Sequence, residues 1–274
     1  MKSKKSFYLL GGRELYIFAG LTGFLLLASA AYVLWLPDVS EFKKRNPAET
    51  SFMRLKEAHA RAQGRKLGRR MVWRNWGDIS ENLKHAVLVA EDGGFYRHKG
   101  VDWESTREAL ARDWEKKRLA SGGSTITQQL ARNLYLSPSK NPLRKIKEIL
   151  IAQRLEKALG KRRIFELYLN VAEWGRGIYG AEAAAQAYFG KSAADLTPEE
   201  GAALAAALPS PRRYNPTGGT RFMERQKSRI VNRMRASGYL PDETEDSLLD
   251  ENFEVITSTE IEVSTPTVVS TTTE

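Results

Sequence analysis

Residues 91–100 read EDGGFYRHKG. Two carboxylates, two glycines, two aromatics and three potential cations stand side by side, which is a poor composition for a helix surface. The residues before them explain the arrangement. In SENLKHAVLVAED (80–92), Ser80 is a candidate N-cap, and Leu83, Val87 and Ala90 recur at helical spacing. Glu91 and Asp92 therefore fall at a helix C-terminus, and Gly93-Gly94 is expected to end the helix in a bend. A glutamate there faces the unfavourable end of the helix dipole, beside backbone that a ligand can approach closely. Its pKa is expected to rise, which suits a proton acceptor near neutral pH. A solvated surface glutamate is the other reading of the same residues. Asp92 is expected to cap or orient, Phe95 to enter the core, and His98 to bond nearby backbone.

The rest of the chain reads as helices. Trp103 to about Leu119 is one. SGGSTITQQLARNLYL (121–136) starts as a flexible loop and becomes another. In NPLRKIKEILIAQRLEKAL (141–159), Leu143, Ile146, Ile149/Leu150 and Leu155 make an apolar stripe. KRRIFELYLNVAEWG is expected to stay helical to Gly175, with GRGIYG as a loop. AEAAAQAYFG and LTPEEGAALAAALP are two further helices. Upstream, ETSFMRLKEAHARAQ is a candidate helix with Phe52, Leu55 and Ala62 on one face. Strands are scarce, and the expected fold class is mostly α.

Residues 15–36 carry no charge over 22 positions. As a helix they span about 33 Å, enough for a hydrocarbon core of about 30 Å. A cleaved signal peptide is the competing reading, but its apolar region is normally shorter. An uncleaved anchor is preferred, with Tyr16, Tyr32 and Trp35 at its ends. Lys2, Lys4, Lys5 and Arg13 precede it, so residues 1–14 are expected in the cytoplasm and the body outside. Residues 37–78 form a lead-in, 79–240 the main domain, and 241–274 an acidic Ser/Thr-rich tail expected to be disordered.

The 274 residues carry a formal charge of +10. From Asp242 onward there are ten acids and no Lys or Arg, so residues 1–241 hold about +20. Such a body expects an anionic partner. Nucleic acid is disfavoured, because no nucleic-acid-binding motif appears and the body is expected outside the membrane. With no cysteine, thiol catalysis and disulfides are excluded. Around Glu148 stand Lys140, Arg144, Lys145 and Lys147, either a helical ion-pair patch or a cluster built for a pyrophosphate. GGSTITQQ offers hydroxyls, amides and backbone N–H groups but lacks the P-loop spacing.

Together, EDGGFYRHKGVD, GGSTITQQLARNLYL, RKIKE, RRIFELYLNVAEWGRGIYGAEAAAQAYFGK and LTPEEGAALAAALPSPRRYNP stand in an order that resembles the five signature blocks of family 51 glycosyltransferases, over about residues 79–216. Fewer than 60 residues follow Pro216. No serine-acylation motif fits there, so the resemblance is to the monofunctional biosynthetic peptidoglycan transglycosylases rather than to bifunctional penicillin-binding proteins. It implies a lysozyme-like helical large lobe with a small jaw lobe. It implies that lipid II and a lipid-linked glycan strand are joined with inversion and loss of undecaprenyl pyrophosphate. By position in the blocks, Glu91 would be the general base and Glu148 the second carboxylate. Asp92, Ser124, Thr125, Gln128, Gln129 and Arg132 would line the substrate groove. Lys140, Arg144 and Lys145 would hold the pyrophosphate, while Phe95, His98 and Gly100 keep the first block in shape. Mg2+ or Mn2+ is an expected helper, and phospholipid and cell-division or cell-wall synthesis proteins are expected partners. Gly94 departs from the resemblance, standing where many members carry a larger residue. A lysozyme-like or lytic peptidoglycan-cleaving enzyme and a non-catalytic anchored scaffold are the rival readings.

Overall fold

The structure is a computed structural model. It describes residues 12–66, 68–115, 123–138 and 141–241. Lys140, residues 1–11 and the expected tail from residue 242 lie outside the described residues.

Apolar periodicity and caps set the helices. α1 (Gly12–Leu34) is the long apolar helix, and it meets the length and composition needed to cross a membrane. α2 (Ser51–Ala62) is capped by Thr50, whose hydroxyl accepts from Met53 N at 3.2 Å. β1 (Arg70–Met71) precedes α3 (Glu81–Glu91), and Ser80 caps α3 as its sequence implies, accepting from Asn82 N. α4 (Trp103–Glu115) and α5 (Ile126–Tyr135) follow. α5 opens with a reciprocal capping box: Thr125 Oγ1 accepts from Gln128 N, and Gln128 Oε1 accepts from Thr125 N. α6 (Pro142–Ala158) starts with proline in its first turn after Asn141, whose side chain accepts from Leu143 N.

α7 (Lys161–Val171) stops four residues before Gly175. The expected continuation is instead β2 (Glu173–Gly175), which pairs antiparallel with β3 (Ile178–Tyr179). β1 pairs parallel with β3, so the sheet order is β1-β3-β2. The aromatic residues explain the change: Trp174 and Tyr179 are buried, and a hairpin lets both turn into the core where a straight helix would not. GRGIYG, expected as a loop, thus supplies the turn and β3.

α8 (Ala181–Phe189), α9 (Pro198–Ala207) and α10 (Arg221–Ala236) complete the body. α10 was not expected from the sequence, because six of its sixteen residues are Lys or Arg. Its buried Met223, Ile230, Val231 and Met234 nonetheless fall at helical spacing. Its Arg233 donates to Val89 O at the last turn of α3.

Two further expectations are corrected. In α6 only Leu155 of the expected apolar stripe is buried. Ile146 is 48% exposed, while Glu148, Ile151, Ala152 and Leu155 are buried. The first turns of α6 bury the Glu148 carboxylate, and the helix also packs on α1. In α2 it is Met53 that is buried, and Leu55 is exposed. The lead-in is bonded into the body: α2 packs on α5, Arg74 N donates to Asn170 Oδ1, and Arg74 pairs with buried Glu182 at 2.8 Å.

The site depends on how α3 is held, and α9 and α10 pack along it. Gly201 on α9 makes that contact close. A Cβ there would meet the backbone of Asn82 and Leu83 at 3.1 Å. Gly201→Val is expected to lower stability by about 1–3 kcal/mol through overpacking, measured by urea unfolding in detergent; an unchanged midpoint would mean that α3 and α9 are free to separate.

Candidate active site

α3 ends at Glu91, with Asp92 as its C-cap. Neither following glycine takes a positive φ, so left-handed freedom is not what the bend uses. A Cβ at Gly94 would lie 2.8 Å from Asp102 Oδ2, so a larger residue there requires the Asp102 carboxylate to shift. Gly100 does need to be glycine, with φ at 90° and the backbone of Ala152 on α6 at 3.2 Å from a built Cβ.

Asp92 is buried and committed to the protein. Its Oδ2 accepts from Ile126 N at 2.9 Å, and both its oxygens lie 2.9–3.0 Å from His98 Nε2. Asp92 thus clamps the bend to the start of α5, and it also lines the cleft that opens before Glu91. His98 bonds a carboxylate rather than the expected backbone. Phe95 is fully buried against Phe165, with their ring centroids 5.4 Å apart.

The clamp brings Glu91 against α5. Gln129 Nε2 donates to Glu91 Oε2 at 2.7 Å, and Tyr168 OH donates to Gln129 Oε1 at 3.1 Å. Burial pushes the Glu91 carboxyl up from its ordinary pKa, against smaller downward pulls from Gln129 and Arg132. The rise expected from the helix end is present, but desolvation is its main cause. Burial also holds the Tyr168 hydroxyl well above its usual pKa, which keeps it a donor. Tyr168 was missed in the sequence, where it is one more residue of a buried helix.

Thr125 and Gln128 were expected in the substrate groove. Both are buried, Gln128 in the capping box and Thr125 also donating to Gly100 O at 2.7 Å. Their polar atoms hold α5 in place, and Thr125 also lines the cleft that opens before Glu91. Gln129 and Arg132, on the open face of α5, line a cleft of about 550 Å³ together with Arg144, Tyr168, Lys56 and Arg212. A second cleft of about 410 Å³ opens before Glu91, lined also by Gly93, Ser124 and Arg233. The Glu91–Gln129 hydrogen bond joins the two.

Glu148 has no exposed surface. Arg144 Nη1 donates to its Oε2 and Lys145 Nζ to its Oε1, each at 2.6 Å, and Lys145 Nζ also reaches Ser124 Oγ at 3.0 Å. Glu148 is thus a positioning residue: it aims two cations, and the bond to Ser124 fixes one of them to the loop before α5. The set does not suit a resident Mg2+ or Mn2+. Glu148 is already neutralised by two cations, Asp92 is clamped, and the described residues contain no group of three or more His, Cys, Asp or Glu able to hold a metal.

Residues 58–235 match the family described as Transglycosylase. The chain belongs to the transglycosylase family. It is 42% identical to the biosynthetic peptidoglycan transglycosylase of Janthinobacterium sp. (strain Marseille) over 213 residues, covering 78% of this chain and 92% of that relative. It is 46% identical to that of Azoarcus sp. (strain BH72), covering 72% of this chain and 87% of the relative. It is also 46% identical to that of Alcanivorax borkumensis, covering 76% and 82%. Of the three cations in its RKIKE turn, Arg144 and Lys145 are bonded to Glu148, and Lys147 lies over the Tyr32 ring.

Two stability outcomes follow from these charges. Glu148→Gln leaves Arg144 and Lys145 facing each other without an anion. It is expected to cost about 2–3 kcal/mol, less than for a wholly buried pair because Lys145 is 41% exposed. Urea unfolding checks this, and no loss would mean that the cations are independently solvated. Glu91→Gln acts in the opposite direction. The folded state holds the Glu91 proton more tightly than the unfolded state, so an ionised Glu91 destabilises the fold above its raised pKa and not below the ordinary carboxylate range. At neutral pH the variant is expected to melt about 2–4 °C higher. The gain should vanish in acid; a gain independent of pH would point to packing instead.

Proposed function

We propose that this chain is a peptidoglycan glycan-strand polymerase. It transfers the growing lipid-linked glycan onto the 4-hydroxyl of lipid II and releases undecaprenyl pyrophosphate. The observation that carries this reading is Glu91: a half-buried carboxylate with a raised pKa, held by Gln129 on the wall between an open cleft and a cation-lined one. The names of the relatives support the same reaction class.

The chemistry is a single displacement. A sugar hydroxyl is a poor nucleophile, so it needs a base within reach. Glu91 takes the proton of the acceptor's 4-hydroxyl as its oxygen bonds the donor's anomeric carbon. The bond from that carbon to pyrophosphate breaks, the electron pair leaves with the phosphate, and the α-link becomes β-1,4. A pyrophosphate leaves readily when its charge is met, so the donor side needs cations more than an acid. We assign that task to Arg132, Arg144 and Lys145, and to Lys140 by its position in the sequence. Gln129 keeps Glu91 oriented toward the clefts. The donor then occupies the cation-lined cleft and the acceptor sugar the cleft before Glu91.

A substrate with a polyprenyl tail requires an enzyme at the bilayer, and α1 suits a single-pass anchor. We assign the N-terminus to the cytoplasmic side and the body to the outer face.

Labelled lipid II, incubated with the detergent-solubilised full chain, is expected to give a ladder of strands that lysozyme digests. Glu91→Gln is expected to reduce the rate by about 10²–10⁴-fold while still binding lipid II. The wild-type rate should fall on acidification at a pH above the ordinary carboxylate range, as Glu91 takes up its proton. A ladder of normal yield from Glu91→Gln would remove Glu91 as base; shortening of added glycan would make the chain a hydrolase.

A further inference from the structure

A third cavity, of about 520 Å³, lies where α1, α2, the end of α5 and α6 meet. Its walls include Tyr32 from the last turn of α1, Arg54 and Leu55 from α2, Tyr135 and Ser137 after α5, and Lys147 from α6. None of these residues lines either cleft of the active site. α2 divides the two regions. Phe52 and Lys56 face the cation-lined cleft, while Ser51, Arg54, Leu55 and Ala58, spaced along one helical stripe, face the cavity.

We propose that this cavity binds the headgroup of an anionic membrane phospholipid, resting on the reading of α1 as a membrane anchor. Three observations place a lipid phosphate there. First, height: Tyr32 is two residues from the end of α1, where an interfacial ring sits at headgroup level. Second, charge: Lys147 Nζ lies 4.2 Å from the Tyr32 ring centroid, and no described carboxylate is within ion-pair distance of it. Arg54 is 59% exposed and touches Glu49 only at 3.8 Å, beside its bond to Ser51 Oγ, so its guanidinium remains available to an anion. Third, the wall is mixed: Leu55 and Tyr32 are half-exposed apolar surface next to the cations, as a lipid's glycerol and upper acyl chain require. Ser137 adds a hydroxyl donor. A phosphodiester between Lys147 and Arg54 would meet both charges and leave its chains running along α1.

The position gives the site a purpose. Tyr135 OH donates to Asp38 O at 3.1 Å, and Arg154 donates to Leu36 O and Pro37 O, so the anchor's exit is bonded to the body that carries the clefts. A lipid held at this junction fixes the height and tilt of the clefts over the bilayer.

The test reconstitutes the full chain in nanodiscs of mixed phosphatidylglycerol and phosphatidylethanolamine, then counts retained lipids by native mass spectrometry. Wild type is expected to keep a single phosphatidylglycerol through delipidation. Arg54→Gln with Lys147→Gln should reduce that retention by about tenfold or more, whereas Arg225→Gln with Arg229→Gln, an equal charge loss on α10, should not. If circular dichroism shows the double variant unfolded, Lys147→Gln alone carries the test, with a severalfold loss expected. Equal retention of both lipids, or retention unaffected by the variant, overturns the site. Displacement of phosphatidylglycerol by undecaprenyl pyrophosphate also overturns it and gives the cavity to the substrate. Flotation with neutral vesicles separates the two readings: a chain that fails to float overturns the anchor and the site together, and one that floats without retaining phosphatidylglycerol overturns the site alone.

Discussion

Asp92 holds the site together. Its carboxylate accepts Ile126 N at the start of α5 and lies within hydrogen-bond distance of His98, so a single side chain joins the end of α3, the following bend and α5. A carboxylate at a helix N-terminus is favoured by the exposed N–H groups and by the helix dipole. The consequence lies one residue away. With Asp92 fixed to α5, Glu91 lies against that helix, and Gln129, one turn into α5, meets it at 2.7 Å. The capping box of Thr125 and Gln128 sets the orientation of α5, and thereby where Gln129 and Arg132 point.

The two carboxylates of the site stand in different surroundings. Glu91 is desolvated and has neutral partners in direct contact, so it holds a proton more readily than a free carboxylate. Glu148 is buried more completely but faces two cations at 2.6 Å, so its charge is matched. Environments that separate two such groups divide the labour between them. Glu91 faces a cleft with a neutral amide beside it, while both Glu148 oxygens are taken up by cations. Glu148 therefore works through Arg144 and Lys145, and Ser124 couples Lys145 to the loop entering α5.

The helical character, the cap at Ser80, the end of α3 near Glu91 and the charge cluster around Glu148 were legible in the sequence, because each rests on local spacing. The missing parts rest on tertiary contacts. Nothing local says that Asp92 bonds Ile126, 34 residues away, or that Tyr168 supports Gln129. The hairpin at 173–179 was read as helix and loop because burial of Trp174 and Tyr179, rather than periodicity, decides it. The capping box of Thr125 and Gln128 was not legible, because a polar side chain beside glycines reads the same whether it meets a sugar or a backbone N–H. In α6 and α2 the apolar residues misled for a different reason. Ile146 and Leu55 are exposed, and Leu55 lines the cavity that Tyr32 of α1 also lines, where an apolar residue need not mark the core.

That side of the molecule bears on the reaction as much as the clefts do. The exit of α1 is bonded to the body at Leu36, Pro37, Asp38 and Phe42, through Arg154, Tyr135 and Arg163. A body on a flexible tether would sample many heights above a membrane and would have to recapture a membrane-bound pyrophosphate at each turnover. Bonding the exit to the elements that carry Arg144, Lys145 and Tyr168 removes that freedom in advance, which is how positioning lowers a barrier. The cations then stand at a set distance from the end of α1. A lipid-linked donor whose tail lies beside α1 brings its pyrophosphate to a height fixed by the same helix.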